Sequence, residues 1–174
     1  DMGAYEVRIW YVKTGAAPGN GCTSWADACP SLQTALGKAS YADEIWVAAG
    51  TYRPGAASGA QTSTFQLKNG VAIYGGFAGT ETLRTARNWT TNVAILSGDL
   101  DSSGGFSSND AYHVVTCSGV DNIAVLDGFT VTGGVASGGG LPHNSGAGLY
   151  NDGGSPTLAN LIVSNNTAAQ GAGM

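Results

Sequence analysis

The stretch DLDSSGGFSSND, Asp99 to Asp110, gathers carboxylates and hydroxyls at a spacing suited to a hard cation. Counted from Asp99, oxygens fall at position 1 (Asp99), 3 (Asp101), 5 (Ser103), 9 (Ser107) and 12 (Asp110). Gly104 stands at position 6 and Phe106 at position 8. This is the spacing of a twelve-residue calcium loop, D-x-D-x-S-G, with Asp in place of the usual closing Glu. Ca2+ takes about six to eight oxygen ligands, and a glycine at position 6 permits the sharp turn that collects them. The flanking runs VAIL and YHVV are strand-like, so the loop would be grafted between strands rather than between helices. An Asp/Ser/Gly turn without metal accounts for the same residues, and both readings stand.

Asp99 and Asp101 are also the one pair of carboxylates at i, i+2, a spacing that could serve acid and base. On a strand, residues i and i+2 lie on one face roughly 6.5–7 Å apart, near the separation of about 6.5–9.5 Å used by inverting glycosidases. No Arg, Lys or His stands close to the pair in sequence, which weighs against catalysis there. His113 and His143 lie 30 positions apart with no cysteine or third histidine placed to complete a zinc site. Trp10, Tyr11, Trp25, Trp46, Tyr52, Tyr74 and Trp89 either stack on sugar rings or plug irregular turns. Sequons stand at Asn88 and Asn165 and matter only where a secretory route glycosylates them.

The elements that must position these residues are short. Of the 174 residues 28 are glycine and only 11% are charged, while 43% are apolar, so a real core is available and many tight turns are required. The net charge of −5 and the scattered seven Lys and Arg exclude a basic stripe, and with it nucleic-acid binding by counterion release. No apolar run approaches the length of a membrane span. The sequence starts at Asp1 with no signal peptide, read as a processed chain or a fragment. Of the three cysteines, Cys22 and Cys29 bracket a short loop and are expected to form a disulfide, which favours an extracellular setting. Cys117, in a strand-like run, is expected to be a small buried hydrophobe.

Similar runs recur roughly every 20–26 residues. VAIY at 71 returns as VAIL at 93 and GAGL at 146 as GAGM at 171, while LDGFTVTGG at 126 returns as LANLIVSNN at 158, the glycine-rich VASGGGLPHNS lengthening that turn. The runs are β-branched and bounded by Gly, Asn, Asp or Ser, which predicts stacked short strands in a right-handed parallel β-helix of about five to six coils, an all-β fold. PSLQTALGKAS places Leu32, Ala35, Leu36 and Ala39 on one helical face, predicting an amphipathic helix over about 30–39 that caps the strand stack. The expected organisation is a closing or donor strand over 1–9, a cap over 10–42 and β-helix coils over 43–174.

The string TSWADACPSLQTALGKASYADEIWVAAGTYRPG, followed by FQLKNGVAIYGGFAGTET and ILSGDL, resembles the N-terminal part of bacterial surface and secreted right-handed parallel β-helix proteins of the pectate-lyase-like superfamily. LDGFTVTGG and SGAGLYNDGGSPTLANLIVSNNTA resemble their repeating coils. The resemblance implies a fold more than a function, because that group holds lyases, hydrolases and adhesins alike. The Asn-Thr-Asp, Asp-Asp and Gly-His-Gly motifs of its pectin hydrolases are missing. The expectation is an extracellular or cell-surface structural or adhesive module, Ca2+ its one candidate cofactor, with a polysaccharide lyase or hydrolase fragment and a carbohydrate-binding module as alternatives. DMGAYEV resembles the segment that closes such folds. Ala4, Tyr5, Glu6 and Val7 are therefore expected to add as a strand to the region around Leu161, Ile162, Val163 and Met174 of a neighbouring copy, giving filaments. Further coils of a longer chain are the other reading, and extracellular polysaccharide is a candidate partner.

Overall fold

The computed structural model describes residues 6–56 and 61–174. Its fourteen short strands fall into four parallel sheets. The largest runs β1 (Ile9–Val12), β2 (Glu44–Ala48), β5 (Ala72–Phe77), β8 (Val125–Asp127), β12 (Thr157–Ala159) across its width. A second contains β3 (Gly50–Tyr52), β6 (Ala94–Ser97), β9 (Phe129–Thr132) and β13 (Ile162–Val163), a third β4 (Phe65–Gln66), β7 (Val115–Thr116) and β11 (Leu149–Tyr150). The last pairs β10 (Val135–Ala136) with β14 (Thr167–Ala168).

The regular β-helix of five to six coils expected from the repeats is thereby corrected. Pairing is parallel as the short β-branched runs suggest, but the strands lie in four separate small sheets rather than in one helix. The physical reason lies at the bends. β2 passes to β3 through Ala49 into Gly50, which opens β3 with φ +147, and Gly128, with φ +87, separates β8 from β9. A positive φ turns the chain out of the pleat, so hydrogen bonding stops in one sheet and resumes in another. Long stretches without strands, such as 98–114 and 137–148, interrupt the pattern further.

Register explains which residues become core. In the five-stranded sheet Trp10, Ile45, Ile73, Leu126 and Leu158 stand opposite one another in successive strands. Side chains alternate along a strand, so this row points to one face and the neighbouring row, Tyr11, Trp46, Tyr74 and Asp127, to the other. Leu96 and Val131 in the second sheet, and Phe65, Val115 and Leu149 in the third, are also buried, and all join one core cluster with Ile45, Ile73 and Leu126.

The expected helix forms as α1 (Leu32–Lys38), with Leu32, Ala35, Leu36 and Ala39 all buried. It packs on β1 and β2. Its open C-terminal carbonyls are met from outside the helix, since the Lys68 ammonium donates to Leu36 O and Ala39 O at 3.1 and 2.6 Å. β1 spans the expected boundary between the closing segment over 1–9 and the cap over 10–42. Cys22 and Cys29 are joined, with Cα atoms 4.8 Å apart. Cys117 is free and buried, and burial pushes its thiol up to about 11.

Candidate metal centre

The acidic stretch leaves β6 after Ser97 and returns to strand at β7, so both ends of the loop are anchored in sheets. Within it the chain makes tight turns at Ser102 and Gly104, with φ +59 and +74. Those turns fold the loop back on itself and bring one carboxylate oxygen each of Asp99, Asp101 and Asp110 within 4.8 Å of one another. The sequence spacing anticipates this meeting, including the turn at position 6. Among the described residues no other group of three or more His, Cys, Asp or Glu converges in this way.

The loop's own N–H and O–H groups bridge the carboxylates. Ser103 N donates to Asp99 Oδ1 and Asp101 Oδ1, both at 3.0 Å, and Gly104 N donates to Asp99 Oδ2 at 3.1 Å. Ser107 serves two acids, its Oγ lying 3.2 Å from Asp101 Oδ2 and 3.1 Å from Asp110 Oδ1, while its N–H donates to Asp110 Oδ2 at 2.7 Å. Electrostatics separate the acids. Hydrogen bonds from Ser103, then Ser107 and Asn109, hold Asp101 below its ordinary range against slight desolvation. Asp110 is fully buried, and that burial pushes its carboxyl up, helped by the charges of Asp101 and Asp99. A buried acid facing two others is relieved by a cation, because the ion supplies the charge that water cannot. The donor set is all oxygen, which fits Ca2+ or Mg2+ and not a soft metal. Phe106, at the position where a calcium loop commonly buries an apolar residue, is instead 59% exposed.

Beside the acids lies an open hollow of about 400 Å3, with Asp99 and Phe106 on its walls along with Thr132 and Asn165. Arg53, distant in sequence, donates its Nε–H to the Asp99 carbonyl at 2.6 Å. Sequence reading missed this neighbour because 46 positions separate the two.

Compared with models of known protein families, with characterised proteins and with solved structures, the chain matches none. The resemblance to pectate-lyase-like proteins therefore gains no support from them.

The remaining candidates divide clearly. Trp10, Trp46 and Tyr52 are buried, and Tyr11, Trp25 and Tyr74 are partly covered, so they pack rather than present a binding face. Trp89 alone of the seven is exposed. Ala4 and Tyr5 lie outside the described residues, whereas Glu6 and Val7 are exposed and outside any strand. At the other side of the molecule Leu161 is half-buried, and Ile162, Val163 and Met174 are exposed along the edge strand β13 and beyond it. His113 and His143, apart in sequence, have ring centres only 6.0 Å apart. No helix among the described residues is long and apolar enough to cross a membrane.

Proposed function

We propose that this chain is an extracellular structural or adhesive module whose 99–110 loop is pinned by Ca2+. The observation that carries the reading is the meeting of Asp99, Asp101 and Asp110 within 4.8 Å in a chain with only 11% charged residues. When bound, the ion would neutralise the acids, with Asp99, Asp101 and Asp110 as its ligands and Ser103 and Ser107 alongside. The chain's part is to hold those oxygens in register between β6 and β7. The Cys22–Cys29 disulfide supports an oxidising, extracellular setting, because such bonds persist there and are rare where thiols are kept reduced. Edge strands β12 and β13 offer unpaired backbone groups beside exposed Ile162 and Val163, the surface where a copy of this chain or further chain would add by strand pairing.

The test is thermal or denaturant unfolding with excess Ca2+ and with chelator. Ca2+ held at about 100 times its Kd should stabilise by about 2.7 kcal/mol. Asp101→Ala should erase the difference while changing the chelated protein little. Coincident curves for the unmodified protein would reject the cation.

The hollow beside Asp99 favours a second reading, a saccharide-binding module. Phe106 supplies an exposed aromatic face, and Thr132 and Asn165 line the same hollow. Titration with neutral and acidic oligosaccharides, followed by backbone amide shifts, should perturb residues 97–106 and 132–133, and Phe106→Ala should abolish the perturbation. Shifts elsewhere, or none, would remove this reading.

A further inference from the structure

Among the described residues one buried side-chain atom has no hydrogen-bond partner, the Nε2 of His113. Buried polar groups are nearly always satisfied, so a lone exception calls for a reason. His113 is 6% exposed, and its Nδ1 lies 3.1 Å from the carbonyl oxygen of Gly146. A carbonyl only accepts, so Nδ1 carries the proton and the bare, unpartnered Nε2 marks a neutral ring.

Gly146 belongs to a run that holds other backbone in place. Its N–H donates to Gln170 O, Gln170 N donates to Asn144 O, and Gly148 and Leu149 donate to Ala172 and Gly173. The run 144–149 thus sits between residues 170–173 on one side and, on the other, His113 together with Val114 and Val115, whose N–H groups donate to Ala147 O and Gly148 O, both at 3.0 Å.

We propose that His113 is an acid-sensitive switch beneath 144–149: neutral, it adds its Nδ1–H to the backbone bonds that hold that run on the β7 side, and protonated at Nε2 its buried, unpartnered charge shifts the equilibrium towards opening of that run together with 170–173, although Nδ1 still donates to Gly146 O while the run is closed.

The added proton has nowhere to go. From the run 137–146 the ring of His143 faces His113 at 6.0 Å, and from β11 the ring of Tyr150 faces it at 4.8 Å. Tyr112, next to His113 in the chain, stacks on His143 at 4.4 Å instead. The Gly146 carbonyl and the backbone at Ser145 also meet the ring, and among the described residues no carboxylate acts on it. Burial, with a contribution from His143, therefore holds His113 below its ordinary value, outweighing the Gly146 and Ser145 backbone hydrogen bonds. The sign follows. The opened form takes up a proton as pH falls through about 6.5, whereas the closed form resists until lower pH. The closed state is thus fully favoured at neutral pH and loses ground as pH falls below the free imidazole value, by up to about tenfold per pH unit for one proton.

The test is amide hydrogen exchange between pH 7.5 and 5, in chelator, corrected for the intrinsic pH dependence of exchange. Protection of Gly146, Gly148, Leu149 and Gln170 should fall by up to about tenfold per unit below pH 6.5, while Ile45 and Ile73 keep theirs. His113→Asn, which keeps a donor for Gly146 without a titrating ring, should flatten that fall. Imidazole nitrogen shifts of the unmodified protein give a second readout that needs no variant, and His113 should titrate below a free histidine. Titration at or above the free value overturns the switch. So does equal acid loss of protection in the two proteins, or uniform loss across the fold.

Discussion

Leu126→Ala should destabilise the folded chain by about 3 kcal/mol. Leu126 stands in the middle of β8, opposite Ile73 on one side and Leu158 on the other, and is 1% exposed. Its row continues through Ile45 to Trp10. Deleting the side chain removes apolar atoms from a closed row and leaves a void, because strands fixed in register on both sides cannot move together to fill it. Ile123→Ala, three positions earlier, provides the internal contrast. Ile123 is 42% exposed, so its truncation should cost no more than about 0.5 kcal/mol. Denaturant unfolding of the two variants decides the matter. Equal small losses would mean that the row Trp10–Leu158 is not the core that register makes it.

That row shows what the sequence conveys and where it stops. The runs VAIY, VAIL and FTVT become β5, β6 and β9 within three residues at either end, because alternation and β-branching act locally. The helix over about 30–39 forms as Leu32–Lys38 for the same reason: four apolar residues at helical spacing bury one face. Partner choice is not local. Nothing in EIWVA says that it pairs with IWYV before it and AIYGGF after it, while TY, two residues further on, joins a different sheet. Gly50, at the start of β3, and Gly128, between β8 and β9, mark those switches, and in sequence they look like any other turn glycine. A regular β-helix assumes that repeated runs keep one partner geometry, and the bends are where that assumption fails.

The acidic loop divides in the same way. Its acids converge within one twelve-residue turn, so spacing alone locates them. Arg53 beside Asp99 and His143 beside His113 arise from pairing between distant segments. Single residues of ordinary type carry no periodic signal, and their meeting becomes visible only once register is fixed.

Arg87→Ala should cost about 3 kcal/mol, close to the effect of emptying a core site though Arg87 lies outside the core. The five-stranded sheet turns its second row outward, and there Asp127 would stand as a nearly covered carboxylate. Arg87 meets it, with side-chain exposures of 10% and 13% for the two partners. The same guanidinium donates from Nη1 to Gly75 O and Asp127 O at 3.0 and 3.3 Å and lies over the rings of Tyr74 and Trp89 at 5.1 and 5.0 Å. Removing it leaves a carboxylate in a dry place with only Asn160 Nδ2, at 2.7 Å, still donating to it. The penalty comes from the abandoned charge more than from the lost attraction. Arg84–Glu44 on the same face tests this, because Arg84 is 46% exposed and water can take over its role. Arg84→Ala should cost at most about 1 kcal/mol. Arg87→Met combined with Asp127→Leu should recover much of the loss by removing both charges, yet not all, since Gly75 O still lacks its donor. Unfolding of the unmodified protein, Arg87→Met, Asp127→Leu and their double variant closes a double-mutant cycle for the pair, with Arg87→Ala and Arg84→Ala measured beside it. If Arg87→Ala alone matches Arg84→Ala, the outer strap holds nothing and the sheet stands on its inner row.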